Sequence, residues 1–224
     1  VADVIPLFPL GHVLMPGLAL PLHVFEQRYR QLLADVCETD GPRRFGVVAL
    51  RRGGEVGNHW DQDEPDLMEV GTVAEILEIK RYDDGASDLL TVGSSRFRLV
   101  RTIRGAAPYL QAEVEWIDEV DGAVDPALLD GTLRLCKAYI DAFARRTGQR
   151  YDEELPRDPS LLSYQIAGRL PLPMPDRQRM LERATAAERL GLAAALLRRE
   201  LRLLQATRSV PVSPGVLQLA AHRN

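Results

Sequence analysis

The chain has 224 residues, 27% of them charged, and a formal net charge of −4, so it is long enough to bury its own core and too acidic to hold nucleic acid through an overall basic surface. Cys37 and Cys136 lie far apart, neither with a second Cys or His at zinc-ligand spacing. That pattern argues against a metal site and points to a reducing, cytoplasmic compartment.

From Val4 to Phe25 the chain carries no Asp, Glu, Lys or Arg. A run of about 20 apolar residues suffices to cross a bilayer, but Pro6, Pro9, Pro16 and Pro21 each cost a helix roughly 3 kcal/mol, and Gly11 and Gly17 roughly 1 kcal/mol. Asp3 precedes the run and LHVFEQRY follows it, which fits neither the basic start nor the cleavage site of a secretion signal. The stretch is therefore expected to form extended pieces, with Val13-Leu14-Met15 ending at a Pro16-Gly17 type II turn.

Phe25, Tyr29, Leu32, Leu33 and Val36 recur at helical spacing until Asp40-Gly41-Pro42 stops the helix. Phe45 to Leu50 reads as a strand, and the polar, acidic segment GGEVGNHWDQDEPDLME after it reads as a moving loop. Val70 to Tyr82 and Leu89 to Val100 flank Asp83-Asp84-Gly85 as a hairpin. Tyr109 to Ile117 alternates, with Leu110, Ala112, Val114 and Trp116 on one side. These strands predict a closed or nearly closed antiparallel barrel.

Beyond Asp118 the period becomes helical. Asp125-Pro126 starts a helix with a stripe of Leu129, Leu133, Cys136, Ile140 and Phe143, and Asp158-Pro159 starts a second. The segment from Pro171 to Pro175 breaks the chain before a helix through Gln178 and Leu181. Thr185-Ala-Ala-Glu188 is a capping box ahead of Leu190, Ala193, Leu197, Leu201 and Leu204.

The motifs carry a resemblance. IPLFPLGHVLMPGLALPLHVFEQRY, followed in order by Gly71 to Ile76, Asp84-Gly85, Gly93-Ser94-Ser95-Arg96-Phe97, Tyr109 to Val114, Leu162-Ser163, Ile166-Ala167, Gln178, Leu181-Glu182 and Glu188-Arg189-Leu190, resembles the Lon protease N-terminal (substrate-binding) domain family over roughly residues 4 to 206. The resemblance implies an α+β fold: an N-terminal β-rich, PUA-like pseudo-barrel with one inserted helix (1–120), a C-terminal α-helical bundle (121–207), and a tail (208–224). The Phe-Glu-x-Arg-Tyr form resembles free-standing members of the family, and a short protein without ATPase and peptidase modules is expected. In agreement, neither Lys80 nor Lys137, the two lysines present, follows a glycine as in a Gly-x4-Gly-Lys-Ser/Thr phosphate loop.

No catalytic, cofactor or metal residues are assigned. Phe25, Glu26, Arg28 and Tyr29 are the expected binding residues; the competing and preferred reading packs Tyr29 in the barrel and pairs the charges locally, fixing the inserted helix. His59, Asp61, Asp63, Glu64 and Asp66 offer hard-cation ligands but lack EF-hand spacing, and a solvated acidic loop explains them better. His12 and His23 are read as structural. Gly93-Ser94-Ser95 lacks the Gly-x-Ser-x-Gly elbow of a hydrolase. Arg177, Arg179, Arg183, Arg198, Arg199 and Arg202 are read as a solvated helix face. The expected function is non-enzymatic binding of unfolded or extended polypeptide segments, as an accessory to a protease or to protein quality control, with no membrane or nucleic-acid partner. The alternative is a PUA-like small-molecule or RNA-binding module.

Overall fold

The proline-broken opening forms two strands, β1 (Asp3–Leu10) and β2 (Ala19–Val24), in the computed structural model, which describes residues 3–39, 41–51, 66–148 and 154–206. Between the strands Leu18 N–H donates to the Met15 carbonyl at 3.2 Å and Gly17 adopts φ 75°, the geometry expected of the Pro16-Gly17 turn. Helix α1 (Gln27–Glu38) follows and buries Tyr29, Leu32, Leu33 and Val36. Phe25, read as part of that stripe, instead precedes the helix and is 47% exposed, because Glu26 at the N-cap has extended backbone.

The remaining strands are β3 (Arg44–Ala49), β4 (Val70–Arg81), β5 (Ser87–Ile103) and β6 (Gln111–Ile117). The sheet order is β2-β5-β4-β3-β1-β6, and β6 also pairs with β5, closing a ring of five strands. The closed barrel is therefore observed, but it is not wholly antiparallel: β1 and β3 run parallel, because β2 and α1 intervene and carry the chain back to its starting end. Along one edge, β5 takes β2 at Ser87–Val92 and then β6 at Arg96–Ile103. The β4–β5 turn follows the Asp83-Asp84-Gly85 signal, with Gly85 at φ 81° and Tyr82 N–H bonded to the Ala86 carbonyl at 2.9 Å.

Ile5, Leu7, Val48, Val73, Phe97, Ala112 and Val114 come from all five ring strands and fill its interior. Alternate residues of the same strands, including Phe8, Phe45, Val47 and Ala74, face outward and are covered by α1. Strands β1 and β3 are thus buried on both faces, which is why residues 5–10 are continuously apolar, whereas β2 alternates between exposed and more buried positions. Tyr29 stacks on Phe8 with 4.0 Å between ring centroids, outside the ring and not within it. Gly71 makes room for Phe97: a Cβ there would lie 2.4 Å from the Phe97 ring and 2.5 Å from the Val47 carbonyl oxygen. Trp116, read on the buried side of β6, is 36% exposed at the ring's rim, where its Nε1–H donates to Asp3 Oδ2 at 2.6 Å.

The chain divides into two compact units, Val1–Asp118 and Glu119–Asn224. The second contains α2 (Pro126–Thr147), α3 (Pro159–Arg169), α4 (Met174–Leu181) and α5 (Ala186–Ala206). Asp125 and Asp158 cap α2 and α3 through their side chains, and Thr185 and Glu188 exchange the capping-box bonds at α5. The buried stripe of α2 is Thr132, Cys136, Tyr139 and Phe143, rotated from the one read in the sequence, so that Leu129, Leu133 and Ile140 flank it half-buried.

The arginines of this unit require a second correction. Arg179, Arg183, Arg198 and Arg202 are exposed, but Arg177 is buried: its guanidinium donates to the Leu172 carbonyl and to the Leu170 carbonyl, which also accepts from Leu172 N–H, across the proline-rich break. Burial in turn lowers the pKa of Arg177. Arg199 pairs with Asp176 at 2.6 Å and with Glu200 at 2.6 Å. Arg189, absent from the sequence-based set, is fully buried: it donates to Glu119, Ser160 and Ser163, and its guanidinium lies 4.2 Å over the Tyr164 ring.

Candidate functional site: a groove beside helix α1

Strand β4 outruns its neighbour. Its pairing with β3 ends at Arg44↔Glu75, with one further bond from Ile76 N–H to the Arg43 carbonyl at 2.9 Å. From Glu78 to Arg81 it is laddered to β5 alone among the described strands, leaving its second edge from Leu77 onward without a β partner. The register shift between Ile76 and Glu78 makes Leu77 a bulge residue. An inserted residue re-phases the alternation, so Ile76, Ile79 and Arg81 all face the groove beneath α1.

That groove has a volume of about 560 Å³. Ile76, Ile79, Ala34 and Cys37 give it an apolar floor; Arg43, Arg81 and Glu38 stand at its rim, and Leu77, 59% exposed, lies at its side. Neither Arg43 nor Arg81 makes an ion pair among the described residues. A smaller pocket of about 150 Å³ continues it towards the hairpin, between Arg30 and Leu33 of α1 and Tyr82 and Ser87. Arg30 clamps this end by donating to the Asp84 carbonyl at 3.0 Å.

The residues expected to bind take two positions. Glu26 and Arg28 pair at 2.7 Å, and the Arg28 guanidinium lies 4.7 Å over the ring of buried Tyr29, so these three form one local assembly at the start of α1. Phe25 points away from it and stacks on His23 with centroids 5.9 Å apart, and His23 lies 6.5 Å from Tyr82 at the end of the groove. His23 Nδ1 meets Asp88 Oδ1 at 2.6 Å, and Tyr82 donates to the other oxygen of Asp88 at 2.5 Å. The Tyr82 bond first, then the His23 bond, holds the Asp88 carboxyl below the usual carboxylate range.

His59, Asp61, Asp63 and Glu64 lie outside the described residues, as do most of the loop that contains them and the tail 208–224. Asp66, the last of the acidic set, sits 3.4 Å from Arg51. Among the described residues no group of three or more His, Cys, Asp or Glu is arranged to hold a metal ion. Ser94 and Ser95 lie within β5 and not at a strand-to-helix turn. Sequence reasoning missed the groove residues Arg43, Arg81, Ile76 and Ile79. The signal available was the run EILEIKRY, whose apolar positions break the alternation of a regular strand.

These features define an α+β chain in which a closed strand ring carries an external helix and is followed by a helical unit. The family model "ATP-dependent protease La (LON) substrate-binding domain" matches residues 4–199. The chain belongs to this Lon substrate-binding domain family. It is 27% identical over 212 residues to a Lon protease of Anaeromyxobacter dehalogenans, covering 92% of this chain and 24% of that protein. To Lon protease 2 of Syntrophobacter fumaroxidans it is 32% identical over 181 residues, covering 76% of this chain and 21% of that protein. The chain therefore spans about a quarter of the length of these relatives. Among solved structures, a Lon N-terminal domain protein from Xanthomonas campestris superposes with a TM-score of 0.65 at 26% identity, covering 86% of this chain and 98% of that one. The N-terminal domain of a Mycobacterium avium complex Lon protease shares the fold at a TM-score of 0.60 and 17% identity, covering 88% of this chain and 98% of that one.

Proposed function

We propose that this chain is a non-enzymatic binding module for unfolded or extended polypeptide segments, acting in the cytoplasm as an accessory to proteolysis or protein quality control. Its family's substrate-binding role supports the reading, and the observation that carries it is the open groove with the apolar floor of Ile76 and Ile79 beside α1. Apolar surface left open in a water-facing groove gains free energy when an apolar side chain covers it, whatever the remaining sequence of the bound segment. Phe25, exposed and stacked on His23, offers a separate apolar contact beyond Tyr82, while Glu26, Arg28 and Tyr29 hold the start of α1 in place.

Fluorescence anisotropy of a labelled, reduced and carboxymethylated protein titrated with the chain tests the reading. Saturable binding in the micromolar range is expected, with weak dependence on salt. No binding well above that range overturns it. An affinity that falls steeply with salt, together with displacement by single-stranded RNA, would instead establish the RNA-binding alternative.

A further inference from the structure

We infer that the groove takes its polypeptide as an added β-strand: a segment of about five residues pairs with the free edge of β4 from Leu77 to Arg81, and the favoured segment alternates apolar with acidic side chains. The inference rests on the proposed peptide-binding reading and adds its geometry and chemistry.

Three observations carry it. First, the backbone N–H and C=O groups along this edge have no strand partner among the described residues, so an incoming extended segment meets a ready ladder. Second, the edge borders the groove, and the Leu77 bulge turns Ile76 and Ile79 onto its floor. Every second side chain of an added strand points to one face, so alternate apolar residues would reach that floor while the others stay clear of it. Third, the rim is cationic: Arg43 and Arg81 make no ion pair among the described residues and face the single carboxylate of Glu38. Carboxylates of the segment can therefore bond to guanidinium groups that no described residue pairs with. A second copy of this chain would set Lys80 against Glu78 in an antiparallel pair centred on Ile79, but it would place Leu77 opposite Arg81 and so supply no carboxylate there.

The test uses capped, fluorescent peptides with valine alternating with glutamate over six positions, and with lysine in place of glutamate. A third peptide keeps the glutamates but has its alternate backbone amides N-methylated along one edge, which removes strand pairing and spares the side chains. The chain is expected to bind the glutamate peptide at least about tenfold more tightly than the lysine peptide, and to lose it on N-methylation along one edge. The double variant Arg43→Glu with Arg81→Glu, checked for an unchanged melting temperature, is expected to reverse the charge preference. Equal binding of all three peptides overturns the inference, as does a concentration-dependent dimer that the glutamate peptide fails to dissociate. Binding of a carboxymethylated unfolded protein separates the two proposals: if the double variant retains it at full affinity, the strand-addition inference falls and the peptide-binding reading stands. If the unaltered chain binds neither peptide nor unfolded protein, both fall.

Discussion

Gly93 and the Met15 carbonyl oxygen approach so closely that a Cβ on residue 93 would stand 2.3 Å from that oxygen. The approach lets Gly93 extend the ladder of β5 beyond β2: its carbonyl accepts from Gly17 N–H at 2.8 Å and its N–H donates to the Leu18 carbonyl at 2.9 Å. Thr72 Oγ1–H donates to the neighbouring Leu14 carbonyl at 2.8 Å from within the core. Gly93 thus belongs to the architecture of the opening segment and not to a serine chemistry.

Gly93→Ala must push the Met15 carbonyl aside, because the obstructing atom is backbone and not the end of a flexible side chain. A loss of about 1–3 kcal/mol is expected in urea unfolding. Ser94→Ala, in the same strand, is the control and should change stability by less than about 1 kcal/mol.

Tyr109 donates to Asp35 Oδ2 at 2.7 Å, joining the approach to β6 to helix α1. Burial, then this bond, pushes its phenol from 10.0 up to about 12. A pKa raised by folding contributes stability that is complete below pH 10 and disappears as pH rises towards 12. Tyr109→Phe is expected to lose about 1 kcal/mol at pH 8 and to flatten the decline of stability above pH 10, read by denaturant titration across that range.

Cys136 is buried among the helices, which pushes its thiol up to about 12, whereas Cys37 lies half-buried at the groove floor. Alkylation at pH 8 is expected to label Cys37 in the folded chain and Cys136 on unfolding, as read by peptide mass spectrometry. Protection of Cys37 by a bound segment would map occupancy of the groove.

The guanidinium of Arg189 is fully buried and Glu119 is its carboxylate partner. Glu119→Ala leaves that charge in the interior with hydroxyl and carbonyl partners, at an expected cost of about 1–3 kcal/mol, less than for a fully buried pair because the Glu119 side chain is 41% exposed. Arg189→Met, which removes the charge together with its need for a partner, should be less damaging in the Glu119→Ala background than in the native one; a double-mutant cycle measures the difference.

Much of the fold was legible because local signals agreed with tertiary ones. Prolines at Pro126 and Pro159 behind capping aspartates marked helix starts, and Asp83-Asp84-Gly85 marked the hairpin. The parallel pairing of β1 with β3 was not legible, because an apolar strand buried on both faces carries no sign of its partner's direction. The groove escaped for a related reason. Its chemistry depends on the Leu77 bulge, which decides whether Arg81 faces α1, and on Arg43, which a loop brings to the same rim. The buried Arg189 looked like other helix-surface arginines until its partners, distant in sequence, were in place.

The first strand also sets the order in which the chain can be built. Asp3 pairs in register with Val114, and Trp116 reaches back to the Asp3 carboxylate. During synthesis from the N-terminus, β1 can pair with β3 early, but its other side waits until β6 has left the ribosome. Contacts this distant in sequence close slowly, whereas the helices that follow draw on nearer neighbours. Throughout that interval the apolar residues of β1 lack their final cover, so the incomplete ring exposes strand edges that only the arrival of β6 closes.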